Sequence, residues 1–196
     1  MTENMLPAKE AAIWNQFRKG DKEAFAALFE WTSDRLFRYG MKFTNNKELV
    51  KDSIQDVFLK LYQNRGELPE MNNPVFYLFK ILKNTLIDAL RQKEKMVYLS
   101  PQELPFHVEF VFEPEEDAYN DDNIKVRFEK AITLLSNRQK EAIYLRFQAE
   151  LSYEEISQLL GINYQSARNL IHRAIEKIRD EMDFALFITF FLSALK

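Results

Sequence analysis

The chain has 196 residues and is rich in aromatic side chains, 17 of them Phe, so it can bury substantial cores; it has no cysteine, which excludes disulfides and thiolate metal sites. His107 and His172 are the only histidines, too few for a histidine-rich zinc site, and no metal site or cofactor is expected. The net charge of −3 is unevenly spread: +3 over residues 1–98, −8 over 99–123 (eight acids and no Lys or Arg), and +2 over 124–196. Two mildly basic segments joined by an acidic connector describe this pattern better than one acidic protein.

In chain order, the stretch around Met5 and Leu6 is short and broken by Pro7, which argues against a signal peptide. Residues 8–19 read as a helix with Ala12, Ile13 and Phe17 as apolar points and Trp14 alongside. Gly20 and Asp21 break and recap the chain. Phe25, Leu28, Phe29, Leu36 and Phe37 then keep helical spacing to about Tyr39, and Gly40 interrupts it.

Asn46 is placed to cap a helix over about 47–64, with Leu49, Val50, Ile54, Val57, Phe58, Leu61 and Tyr62 as its core stripe. Asp52, Gln55 and Asp56 share the outer face. A metal would need more converging ligands than this face supplies, which leaves a solvated face or a docking surface for a basic partner helix. Residues 65–73 predict a loop.

Asn73 and Pro74 then open a long helix, as cap and first-turn proline. Val75, Leu78, Leu82, Leu86, Ala89 and Leu90 are predicted to face inward. Tyr77, Lys80, Asn84, Asp88 and Arg91 run along another face, with Phe76, Lys83 and Lys95 nearby. Cations interleaved with rings and an amide suit single-stranded DNA: charges track phosphates, rings stack on bases, and an amide reads a flipped base edge. On spacing alone, an ordinary amphipathic helix with its aromatics in the core explains the pattern equally well.

Residues 96–123 break all periodicity and carry Pro101, Pro105 and Pro114 among the acids. They predict an extended linker, with a short packed patch at Phe106, Phe110 and Phe112; the alternative is a segment that lies in a basic channel otherwise holding nucleic acid. Helical signal resumes near Ile124, with Phe128, Ala131, Ile132 and Leu135 inward. Ser136 and Gln139 form a capping box for a helix to about Gln148.

Leu151 to Arg179, LSYEEISQLLGINYQSARNLIHRAIEKIR, reads as two helices around a turn at Gly161. Ser152 and Glu155 form a second capping box, Ile156, Leu159 and Leu160 an apolar face, and Asn163 a cap for the second helix. In that helix Ala167, Leu170, Ile171, Ala174, Ile175 and Ile178 share one side. The other carries Gln165, Arg168, Asn169 and His172, with Arg173 on its flank and Lys177 beyond. These side-chain types suit a helix entering a DNA major groove, where Arg pairs with guanine and Asn or Gln with adenine. A plain helical pair is the competing reading. The apolar tail at 183–195, DFALFITFFLSAL, would make a helix of about 20 Å, short of the roughly 30 Å hydrocarbon core. It fits a packed terminal helix or a docking segment better than a membrane span.

Three blocks in order carry a resemblance: DSIQDVFLKLY at 52–62, FYLFKILKNTLIDALR at 76–91, and LSNRQKEAIYLRFQAELSYEEISQLLGINYQSARNLIHRAIEKIR at 135–179. Together with IWNQFRKGDKEAFAALFEWTSDRLFRYG at 13–40, they resemble a bacterial RNA polymerase sigma factor of the sigma-70 family, extracytoplasmic-function (ECF) class. The resemblance implies an all-α chain of two small helical domains: a region 2 domain at 8–95 and a helix-turn-helix region 4 domain at 124–181. An acidic linker at 96–123 joins them, and a tail at 182–196 follows. It implies a cytoplasmic initiation factor that is not an enzyme, has no small-molecule substrate, and directs core polymerase to promoters. Asp52, Gln55, Asp56, Phe58 and Lys60 match the segment that docks on the clamp helices of the largest polymerase subunit. Tyr77, Lys80, Lys83, Asn84, Asp88 and Arg91 match the helix that recognises and melts the −10 element, with Asn84 at the flipped-base position. Gln165, Ser166, Arg168, Asn169, His172, Arg173 and Lys177 fall on the helix that reads duplex −35 DNA. The polymerase flap and an anti-sigma factor are implied as further partners.

The family usually has Trp where Tyr77 stands, and Gly-Thr-Val where Gln165, Ser166 and Ala167 stand. The bare residues leave two other readings open: a stand-alone transcriptional regulator using the same helix-turn-helix, and a membrane-bound adaptor using residues 183–195.

Overall fold

The computed structural model describes residues 6–94, 104–108 and 122–181, and within them the chain is helical with no strand. It divides into two compact units, residues 1–101 and 102–196. The apolar tail, Lys95, Phe110 and Phe112 lie outside the described residues, as do the side chains of Ile124 and Phe128.

The first unit holds α1 (Leu6–Arg18), α2 (Lys22–Gly40), α3 (Lys47–Gln63), a 3-10 turn at Arg65–Glu67, and α4 (Pro74–Glu94). The starts of α2 and α3 are chemically marked. Asp21 accepts from the N–H groups of Glu23 and Ala24 at 2.8 and 3.0 Å, and Asn46 Oδ1 accepts from Leu49 N at 3.1 Å, satisfying donors the first helical turn leaves open. The core is aromatic: Tyr39 stacks on Phe79 (4.6 Å between centroids), and Phe25 and Phe29 pack on Phe58 at 6.0 and 4.8 Å. In α1 the buried side chains are Trp14 and Phe17, whereas Ala12 is exposed; the inward face is rotated from the one the spacing suggests. Trp14 explains the rotation. Its indole Nε1 donates to Pro69 O (2.9 Å), and Arg18 Nε donates to Leu68 O (2.6 Å), so α1 clasps the 65–73 loop. That loop is therefore a fixed connection, with Leu68 buried.

Gly40, the last residue of α2, is buried where α2 and α3 approach closely: a Cβ there would stand 2.6 Å from Val50 Cγ1. A side chain would force the two helices apart.

The second unit holds α5 (Asp122–Thr133), α6 (Asn137–Phe147), α7 (Tyr153–Leu160) and α8 (Tyr164–Glu181). Both expected capping boxes form, Ser136 with Gln139 and Ser152 with Glu155. The short stretch at 104–108 belongs to this unit. Leu104 and Phe106 are buried, and the Phe106 ring meets Tyr144 of α6 edge-on at 5.7 Å.

Candidate nucleic-acid and polymerase interfaces

The α7–α8 pair is built by its end chemistry. Gly161 closes α7 at φ 64°, ψ 41°, a left-handed conformation that a Cβ would strain. The chain then turns back, Ile162 N bonding Ser157 O at 2.9 Å, and Asn163 Oδ1 accepts from Ser166 N at 2.7 Å to start α8. Arg138 of α6 donates to Leu160 O (2.8 Å), which fastens the turn to the rest of the unit.

On α8, Ala167, Ile171, Ala174 and Ile178 are buried, and Leu170 and Ile175 are half-buried. Gln165, Arg168, Asn169, His172 and Arg173 are exposed on the outer surface. Two small alanines in the buried stripe let α8 sit close to α6 and α7 while the long polar groups stay free to reach outward. The outer groups are partly preset. Gln165 Nε2 donates to Asn169 Oδ1 (3.0 Å), the Arg168 guanidinium lies 5.9 Å from the centroid of Tyr164, and His172 Nδ1 stands 3.3 Å from Glu176 Oε2. Gln165, where the resemblance would have glycine, thus orders its neighbour. Ser166 is half-buried. Tyr164, at the start of α8, is 41 % exposed beside Arg168 and belongs to this surface.

Lys177 is engaged elsewhere. Its ammonium donates to Leu134 O (3.2 Å) and Gln139 Oε1 (3.3 Å), at the junction of α5 and α6. With Ser136, Gln139, Ser166, Asn169, Leu170 and Arg173 it lines an open groove of about 550 Å³. It stands at the edge of the reading surface.

In the first unit, α4 presents Lys80, Asn84, Asp88 and Arg91 to solvent as one outer row. Arg91 and Asp88 form a loose pair at 3.9 Å. Tyr77 is half-buried, its ring edge-on to Trp14 at 5.6 Å, so the aromatic at this position is held by α1. Lys83 does not join the row. It is buried, with its ammonium 5.8 Å from the centroid of the Phe43 ring. The reason is register: Phe79, Lys83 and Ile87 follow at i, i+4 and i+8, and both flanking members are core residues. Phe79 and Ile87 widen the buried face of α4 beyond the residues expected.

On α3, Asp52, Gln55, Asp56 and Lys60 are exposed. Phe58 is 3 % exposed, on the inward stripe with Ile54 and Leu61 that its spacing predicts. Its neighbour Leu59 is 57 % exposed and falls at i+7 from Asp52 and i+3 from Asp56, completing the strip Asp52, Gln55, Asp56, Leu59.

Two segments match family models: residues 28–96 match Sigma-70 region 2, and residues 125–178 match Sigma-70, region 4. The chain belongs to the sigma-70 family of RNA polymerase sigma factors. The two matches together span more than half of it. Among curated relatives, the ECF RNA polymerase sigma factor SigW of Bacillus subtilis (strain 168) is 25% identical over 174 residues, covering 85% of this chain and 93% of the relative. The RNA polymerase sigma factor CarQ of Myxococcus xanthus is 28% identical over 166 residues, covering 84% and 92%. The fold is shared with the sigma factor RpoE of Bartonella quintana, solved in complex with the anti-sigma factor NepR: TM-score 0.56, 20% identity, 82% of this chain and 97% of that one. As an ECF sigma factor the chain binds core RNA polymerase and directs promoter-specific initiation through −35 duplex and melted −10 DNA. The helix-turn-helix at α7–α8 falls within region 4, and α3 and α4 fall within region 2.

Proposed function

We propose that three described surfaces divide the work of this sigma factor. The outer face of α8, with Gln165, Ser166, Arg168, Asn169, His172 and Arg173, reads −35 duplex. Lys177 contributes charge at its edge. The α4 row of Lys80, Asn84, Asp88 and Arg91, with Tyr77 at its head, captures the melted −10 strand, Asn84 meeting a flipped base. The α3 strip of Asp52, Gln55, Asp56 and Lys60 docks on core polymerase. The observation that carries this reading is the sorting of side chains on α8: every residue with base-reading chemistry is outside a stripe of buried alanines and isoleucines.

In this reading Lys83 and Phe58 support their surfaces from beneath. The factor contributes specificity and leaves bond formation to the polymerase, and it works in the cytoplasm, where its template and core enzyme are. No described helix is long and apolar enough to cross a membrane. An anti-sigma protein covering the docking and reading faces is part of the proposal, as is contact of the C-terminal unit with the polymerase flap. The domain limits proposed are 8–95, 96–123, 124–181 and 182–196.

Fluorescence anisotropy on a labelled promoter fragment tests the division. The free chain should bind weakly, with an affinity that falls steeply with salt, and binding should become tight and promoter-specific once core polymerase is added. Tight, symmetric operator binding without core would support a stand-alone regulator instead.

A further inference from the structure

Gln165 and Asn169 stand about one turn apart at the start of α8, both exposed on its outer face. That is the end of a recognition helix whose side chains reach base edges. Their amides meet: Gln165 Nε2 donates to Asn169 Oδ1 at 3.0 Å. Residues at i and i+4 are neighbours on a helix, so the bond needs no distortion of the backbone. The helix start is fixed independently, by Asn163 Oδ1 accepting from Ser166 N at 2.7 Å and by Ala167 N bonding Asn163 O at 3.0 Å. Capping α8 is thus the work of Asn163, and the Gln165 side chain is left to act on Asn169.

An asparagine amide carries an acceptor and a donor side by side: a carbonyl oxygen with two lone pairs and an NH2 group with two hydrogens. The bond from Gln165 occupies one lone pair of Oδ1. The other lone pair and the Nδ2 hydrogens remain for a base. The bond sets their order, because Oδ1 faces Gln165 and Nδ2 faces away from it. Order matters in the major groove. Read across it, an A·T pair shows the acceptor N7, the donor N6–H2, the acceptor O4 and then the thymine methyl; a T·A pair shows the same series reversed. An amide held in one order makes its two bonds to N6 and N7 of an adenine on one strand. Turned over about its Cβ–Cγ bond, it fits an adenine on the other strand.

We propose that Gln165 determines specificity through Asn169: by fixing the order of the Asn169 amide, it selects the strand of the −35 duplex on which adenine is read. This inference rests on the −35 reading of α8 above. Asn169 meets the base, and Gln165 is a positioning residue. The glycine usual in the resembling family has no side chain with which to hold the amide, so strand choice at this position comes from Gln165 of this chain.

The test is competition among single-pair −35 variants of one promoter for the complex of core polymerase with the full chain. Both sites are exposed, and thermal denaturation checks that each variant folds. Asn169→Ala identifies the base pair, as the one where the preference for adenine is lost. There the wild type should prefer adenine on one strand over adenine on the other by about tenfold, within the range of one bidentate contact. Gln165→Ala should keep A·T and T·A above G·C and C·G at that pair, but bring the strand ratio below about twofold, because the freed amide serves either order. Gln165→Glu gives the sharper result. A carboxylate accepts and does not donate, so it draws Nδ2 toward itself and turns the amide over. The strand preference should invert, and as a ratio within one variant it is insensitive to the effect of the added charge on total affinity. An unchanged strand ratio in Gln165→Ala would overturn the proposal, as would the wild-type order kept in Gln165→Glu. Loss of all adenine preference in Gln165→Ala would make Gln165 a direct base contact and overturn it too. So would an Asn169→Ala variant that loses no preference while Arg168→Ala still loses one. If neither Arg168→Ala nor Asn169→Ala alters preference at any −35 position, the reading of α8 itself fails.

Discussion

Phe58 and Leu59 are adjacent on α3 and should behave in opposite ways when truncated to alanine. Phe58 is 3 % exposed and packs against Phe25 and Phe29, at 6.0 and 4.8 Å between centroids. Removing a buried ring from such a site costs about 3–5 kcal/mol, because the lost transfer free energy is joined by an unfilled cavity. For a domain of under 100 residues this lowers Tm by more than about 12 °C. Leu59 is 57 % exposed, and Leu59→Ala should change stability by no more than about 0.5 kcal/mol. If Leu59 is the apolar end of the strip that meets polymerase, its truncation removes an interface contact worth about 1 kcal/mol, roughly a fivefold loss of core affinity. Thermal denaturation of each variant, followed by core-binding titration at a temperature where both are folded, separates the two effects. Phe58→Ala that keeps the wild-type Tm yet loses core affinity would refute the placement of Phe58 in the core. Leu59→Ala that binds core as wild type would remove Leu59 from the docking strip.

Other consequences follow from the same geometry. Gly40→Ala puts a methyl 2.6 Å from Val50 Cγ1, and Val50 is a stiff, fully buried side chain, so the first unit should lose about 1–3 kcal/mol, seen as a lower denaturant midpoint. Gly161→Ala has open space around the new Cβ, and its cost of about 1–2 kcal/mol should come from the positive φ alone; Gly161→Asn should recover part of it. Arg168→Ala should cost about 1–3 kcal/mol at one −35 position while leaving others unchanged, measured by competition among single-base promoter variants. A uniform loss on all sequences would assign Arg168 to phosphate. Asn84→Ala should relax −10 preference in the same assay with core affinity intact, and a fall in core affinity would remove Asn84 from the reading row.

The elements of both units were legible because their signals are local: capping boxes at Ser136 and Ser152, the turn glycine at Gly161, and the apolar stripe from Ala167 to Ile178. The outward face of α8 followed from that stripe by exclusion. Part of what escaped depends on contacts distant in sequence. Trp14 turned α1 inward through a hydrogen bond to Pro69, 55 residues away. Phe58 is buried as its spacing predicts, although the resemblance also places it in the docking segment; Lys83, expected beside the outer row, sits at i+4 from the core residue Phe79 and is buried with it. Lys177 had the right charge, but its partners, Leu134 and Gln139, come from other elements. Residues 96–123 predict a linker with a packed patch at Phe106, Phe110 and Phe112; Phe106 is indeed buried, and Leu104, which the pattern did not single out, is buried too.

The central claim is that this chain gives promoter specificity to core polymerase through two separate grips. The most direct measurement is run-off transcription by purified core polymerase, with and without the chain, on a library of genomic fragments. The account predicts discrete transcripts that require the chain and are lost with changes to Arg168 or Asn84. No chain-dependent transcript from any fragment would contradict it.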